Sequence, residues 1–173
     1  MFFLIMALLV AVYQLRLVTY MVAGSYVEDA LAASNLASAL IDIEEYGKTH
    51  KIVIRDPYTA FTLYRDALDR NLDLDIYGYS LKEDLIKGKP ELEAYTVYNV
   101  EEDRILVWEF NGSGELTGQW EGGMGTVYTP DGIPVEHTTI YSRVAFQVEG
   151  FRRDSRIDAV KQKSVDIMRY ERE

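Results

Sequence analysis

The hydrophobic pattern divides the chain near residue 46. From Met1 to Val27 apolar residues run almost unbroken: Arg16 is the single charge, and Gln14, Thr19, Ser25, Tyr13, Tyr20 and Tyr26 are the other polar side chains. No proline interrupts the segment, Gly24 is its only glycine before Gly47, and Ala, Leu and Met recur throughout, so the pattern predicts one helix. At 1.5 Å per residue a helix over 1–46 would be about 70 Å long, roughly twice the hydrocarbon core of a bilayer. Residues 1–24 are therefore expected in an apolar surrounding, and 25–46 outside it.

The second half changes character without an evident stop. On a helical wheel Val27, Ala30, Leu31, Ala37 and Ile41 share one side, and Ala33, Leu36, Leu40 and Ile43 lie roughly opposite. Glu28, Asp42, Glu44 and Glu45 fall mostly between. A helix with two apolar faces needs two partners, most simply its own globular part and a neighbouring molecule. Val27, Leu31, Leu36, Leu40 and Ile43 are the residues expected to pack helix against head. Ala32, Ala33, Ser34, Ala37, Ser38 and Ala39 would allow helices to approach closely.

Beyond the helix the period shortens. Gly47 fits a helix C-cap, Lys51 to Arg55 a short strand, and Asp56-Pro57 a helix start, with Asp as N-cap and Pro at the first position. Phe61, Tyr64, Leu68 and Leu72 then share one face of a second helix. Residues 71–92 are irregular. From Glu93 alternation takes over, with turns at Glu101-Glu102-Asp103, Asn111 to Gly114 and Pro130-Asp131-Gly132. The clearest strand places Ile140, Val144, Phe146 and Val148 on one face and Tyr141, Arg143, Gln147 and Glu149 on the other. A turn through Arg152 to Ser155 returns it into a last segment. The fold class is α+β: a long N-terminal helix, then a head over 47–173 with one helix packed on an antiparallel sheet. A fragment from about Lys48 is expected to fold alone, unless its strands need residues 27–43 as cover, a case that a start at Ser25 separates.

Charge narrows the functions. The formal net charge is −10, and since Arg16 (+1) is the only charge before Glu28, the residues after Val27 carry −11. That balance excludes nucleic acid as the natural partner and disfavours docking of the head on anionic lipid. The absence of cysteine excludes disulfides and thiolate chemistry. The 13 tyrosines suit exposed sheets and interfaces, where a ring is apolar at one end and wet at the other.

The start is unlike a signal peptide. A charged n-region normally precedes the apolar stretch, yet here the apolar run opens at residue 1, and Gln14 and Arg16 interrupt what would be its core. A cut after Gly24 meets only the small-residue requirement, and a short basic leader removed ahead of Met1 is expected. This apolar terminus, long half-embedded helix and following β-rich head resemble the type IV pilin-like superfamily: pilins, pseudopilins and the pilin-like proteins of tight-adherence systems. The resemblance covers about the first 46 residues and is one of architecture. Many family members carry a glutamate at the fifth mature position, where this chain has Ile5. The resemblance implies a cell-surface, extracellular helical homopolymer, held in the bilayer as a single-pass protein before assembly. It also implies a leader peptidase and inner-membrane assembly machinery as partners. Met1, Phe2, Phe3, Ile5, Leu8, Leu9, Val12, Arg16, Val18 and Met21 would then carry membrane insertion and polymerisation.

Little in the chain points to catalysis. Asn71, Asp73 and Asp75 offer oxygens at alternate positions, as a calcium loop's opening does, but Ile76 stands where its glycine should be and Lys82 at the closing glutamate. Gly122 to Gly125 lacks the Lys-Ser/Thr ending of a phosphate cradle and reads as a loop. His50 and His137 have no metal-ligand spacing. Asn111-Gly112-Ser113 is a glycosylation sequon on paper and a turn signal first. Arg16 would snorkel to the aqueous edge or meet a neighbouring copy. The expectation is a non-enzymatic filament subunit needing no cofactor. Its rivals are a single-pass anchored binding or adhesion domain and an anchored envelope enzyme.

Overall fold

The computed structural model describes residues 2–150 and 155–168; Met1 and most of the expected turn at 152–155 lie outside the described residues. In chain order the elements are α1 (Phe2–Ala37), α2 (Ile43–Thr49), α3 (Pro57–Asn71), β1 (Lys87–Glu101), β2 (Arg104–Asn111), β3 (Leu116–Gly123), β4 (Thr139–Glu149) and β5 (Arg156–Asp166). The strands form one antiparallel sheet in the order β3-β2-β1-β4-β5. The class is α+β, with the long apolar helix leading into the head.

α3 starts as its sequence dictates. The Asp56 carboxylate accepts from the Tyr58 amide at 3.0 Å and from the Thr59 hydroxyl at 2.6 Å, and Pro57 fills the first turn without a donor to lose. The buried face presents Tyr64, Leu68 and Leu72. Phe61 and Tyr64 set their rings 5.5 and 4.7 Å from that of Tyr95 in β1. α1 lies beside α3 and across β4 and β5, so Ala23, Val27, Ala30 and Leu31 share one core with Ile140, Val144, Phe146 and Val148. The other sheet face buries Tyr98, Ile105, Val107 and Tyr141 under Val127 and Val135 of the β3–β4 connection. The alternation read for β4 is thus the observed one.

The long helix stops at Ala37, short of the expected Tyr46. Ser38 bonds the helix once more, the Ala39 amide tightens onto Leu36 O, and Ile41 pairs with Ile54 in an isolated bridge. Asp42 then caps α2, its carboxylate accepting from the amides of Glu44 and Glu45 at 3.0 Å each. An aspartate serves better at such a cap than inside a helix, and the bridge offers the intervening backbone its partners. Gly47 consequently sits within α2, whose C-cap is His50 at φ 58. The strand expected at Lys51 to Arg55 is reduced to that bridge. β1 conversely begins at Lys87, ahead of the expected start; Pro90, which has no amide to give the ladder, falls at the register shift between Lys87 and Glu91.

Candidate functional site

α1 has two environments, divided at Arg16. Ahead of it, Phe2, Phe3, Ile5, Leu8, Leu9 and Val12 are all exposed, on every side of the helix. By length and composition Phe2–Ala37 can cross a membrane. Behind Arg16 one face is seated on the head, while Val18, Met21, Val22 and Leu36 on the outer side remain exposed.

Arg16 itself is neither free nor directed outward. Its guanidinium donates to Glu149 Oε1 at 3.0 Å, and Lys87 Nζ stands 3.7 Å from Glu149 Oε2. The hydrogen bond and charge of Arg16 hold the Glu149 carboxyl below its ordinary range. This pair, at the end of β4, marks where the helix meets the head. Sequence spacing carries no trace of it, since the partners stand 133 positions apart.

Further along, the seat becomes specific. Glu28 meets Lys163 at 2.9 Å and Lys161 at 3.3 Å, both from β5. A Cβ on Gly24 would come within 3.1 Å of Lys161 Cε, so the lysine crosses the helix where it is thinnest. Tyr26 donates to Asn71 O at 2.9 Å, tying α1 to the end of α3. Deeper in, the Asn35 amide donates to Lys163 O at 3.0 Å and Ile140 O at 3.3 Å. Ser34 and Ser38 are fully buried. These serines, expected to let helices approach closely, are turned into the chain's own head, Ser34 onto Asn71 at the end of α3 and Ser38 onto Tyr95.

Val27 and Leu31 take the head-packing role expected of them. Leu36, Leu40 and Ile43 do not: all three are exposed, Ile43 by 82%. Leu36 is still helical and lies on the outer side of α1, while the helix end at Ala37 takes Leu40 and Ile43 off that helix, Ile43 into α2. Of the set expected for polymerisation, Phe2 to Met21 are exposed except Arg16, and Met1 lies outside the described residues.

The calcium candidates are engaged separately. Asn71 donates to Ser34 Oγ at 3.0 Å, Asp73 lies 3.5 Å from Lys82 Nζ, and Asp75 Oδ1 accepts from the amides of Tyr77 and Tyr79. Asn111 Oδ1 caps its turn, accepting from the amides of Ser113 and Glu115 at 3.0 Å. A Cβ on Gly112 would fall 1.8 Å from Leu92 O, so that turn requires glycine. His50 and His137, distant in sequence, line one shallow groove of about 690 Å³ with Lys51, Glu102 and Glu136. It lies at the end of the sheet away from Arg16. Among the described residues no group of three His, Cys, Asp or Glu side chains is placed to hold a metal ion.

Comparisons of the chain with family models, with curated proteins and with solved structures give no match.

Proposed function

We propose that this chain is a structural, non-catalytic subunit that polymerises through α1 into an extracellular filament of the type IV pilin-like kind, and that the same helix holds it in the bilayer before assembly. The observation that carries the reading is the uncovered outer face of α1. Lipid accounts for Phe2 to Leu15. It does not account for Leu36, which lies about 30 Å along the axis from Arg16, a further full hydrocarbon thickness. To cover both, a bilayer would have to take in the head, with its acidic surface. Neighbouring copies of the chain can cover both without that cost. Export, leader removal and the force for assembly would come from other proteins.

Small-to-large substitutions test this. Ala7→Leu and Ala11→Leu keep the helix apolar, and lipid accepts either. A close-packed assembly does not, because overpacking a helix contact costs about 1–3 kcal/mol in every subunit. Surface filament, counted by electron microscopy of sheared material, should fall while membrane-held protein stays constant. Ala23 is unsuited to this experiment because it is buried against the chain's own head. Parent-like behaviour of both variants, with no fibre in any sample, would replace the filament by a single-pass anchored domain.

A further inference from the structure

The connection between α3 and β1 displays its largest side chains outward. Ile76 is 91% exposed, Tyr77 71%, Leu81 67% and Tyr79 53%. Clustered apolar exposure of this kind marks a contact surface. The loop is also well tied. Asp75 Oδ1 accepts from the amides of Tyr77 and Tyr79, the Asp75 amide donates to Tyr79 O, and the Gly78 amide to Asp75 O. The amides of Ser80 and Leu81 donate to Gly88 O and Asp73 O. Gly78 makes the turn at φ +84. Such a tip can leave water without stranding these donors, which is the condition lipid imposes on backbone.

Its place in the fold selects the partner. Ser80 is bonded to Gly88, next to Lys87, and Lys87 shares Glu149 with Arg16. On the other flank Lys82 Nζ sits 4.7 Å from the centre of the Tyr26 ring on α1. The tip therefore hangs from the end of the sheet at which the exposed part of α1 leaves the head. Paired tyrosines beside aliphatic side chains are the composition favoured in the headgroup layer.

We propose that Ile76–Leu81 is a second membrane contact, which lays one flank of the head in the headgroup layer while α1 is in the bilayer. The proposal rests on the membrane-held state in the reading above. Two contacts, helix and loop, fix the tilt of the head and not merely its distance from the membrane.

The chain lacks cysteine, so single labelling sites are clean. The full-length protein is reconstituted at high lipid-to-protein ratio in phosphatidylcholine vesicles, whose neutral headgroups do not repel Glu83 and Asp84. A polarity-sensitive fluorophore is placed on Ile76→Cys, with Tyr79→Cys as a second position, Leu8→Cys on α1, and Thr126→Cys at the opposite end of the head. The expected result is blue-shifted emission and quenching by headgroup-proximal doxyl lipid at 8, 76 and 79, with position 126 open to aqueous iodide. Quenching at 8 with 76 and 79 open to iodide overturns the loop contact and leaves the membrane-held helix standing. Iodide access at 8 as well as 76 removes the membrane reading itself. Protection of 76 and 79 from iodide without doxyl quenching, reversed by further lipid dilution, would assign the tip to a second copy and also overturn the proposal.

Discussion

Tyr95, at the centre of the sheet, donates its hydroxyl to Ser38 Oγ at 3.1 Å, at the point where α1 ends. Both residues are fully buried. Burial pushes the Tyr95 phenol up from its ordinary value, so it remains a donor throughout the working pH range. Ser38 in turn donates to Asn35 O at 2.9 Å.

Ser38→Ala leaves the Tyr95 hydroxyl buried without its acceptor and should cost about 1–3 kcal/mol. Ser38→Ala with Tyr95→Phe removes both ends and should recover much of that loss. Urea unfolding of the four members of the cycle, in a fragment from Ser25 onward, measures it. Additive losses would show that the two hydroxyls are not coupled.

The fragment beginning at Ser25 should itself be folded and soluble, and one beginning at Lys48 should not. The shorter fragment lacks Val27, Ala30 and Leu31, which cover Ile140 and Val144. Large apolar side chains contribute about 1.5–3 kcal/mol each, against a net stability for a domain of roughly 5–15 kcal/mol. Amide dispersion in a two-dimensional NMR spectrum distinguishes the outcomes. A dispersed spectrum from the Lys48 fragment would show that the head is complete without α1.

Acid should loosen the head's hold on α1 at Arg16. The folded-state pKa of Glu149 lies below its ordinary 4.5. Its contribution is therefore fully present above that value and is lost as pH falls through the depressed one. The full chain in neutral detergent should lose more stability between neutral pH and pH below about 4 than Glu149→Gln does, because the variant has no carboxylate there to titrate. Equal slopes for both chains, in denaturant titrations at each pH, would mean that the pair contributes nothing.

What the sequence made legible was local. The Asp56-Pro57 cap, the apolar face of α3 and the alternation in β4 each depend on residues within a few positions, and each stands as read. The end of α1 depends on distant partners: Asp42 leaves the helix where Val53 O awaits its amide, and Ser38 is held by Tyr95, 57 positions on. Because the helix ends there, the burial expected of Leu40 and Ile43 failed with it, whereas Leu36 is still helical and faces outward. The Arg16–Glu149 pair was illegible for the same reason, and so was the low start of β1, where Lys87 and Pro90 join the sheet only because β4 lies alongside.

Asn35 takes the carbonyl of Lys163, and Glu28 takes that residue's ammonium. The first helix is thus seated on the fifth strand, which sets an order of events during synthesis. When α1 emerges from the ribosome, the surface it will occupy has not been made. In its polar seat Ser34 waits for Asn71, Ser38 for Tyr95 and Asn35 for β4 and β5, and contacts so distant in sequence form slowly. The apolar first turns need no such partner and can enter a membrane at once. In the membrane-held state proposed above, partition of the helix into lipid would precede closure of the head.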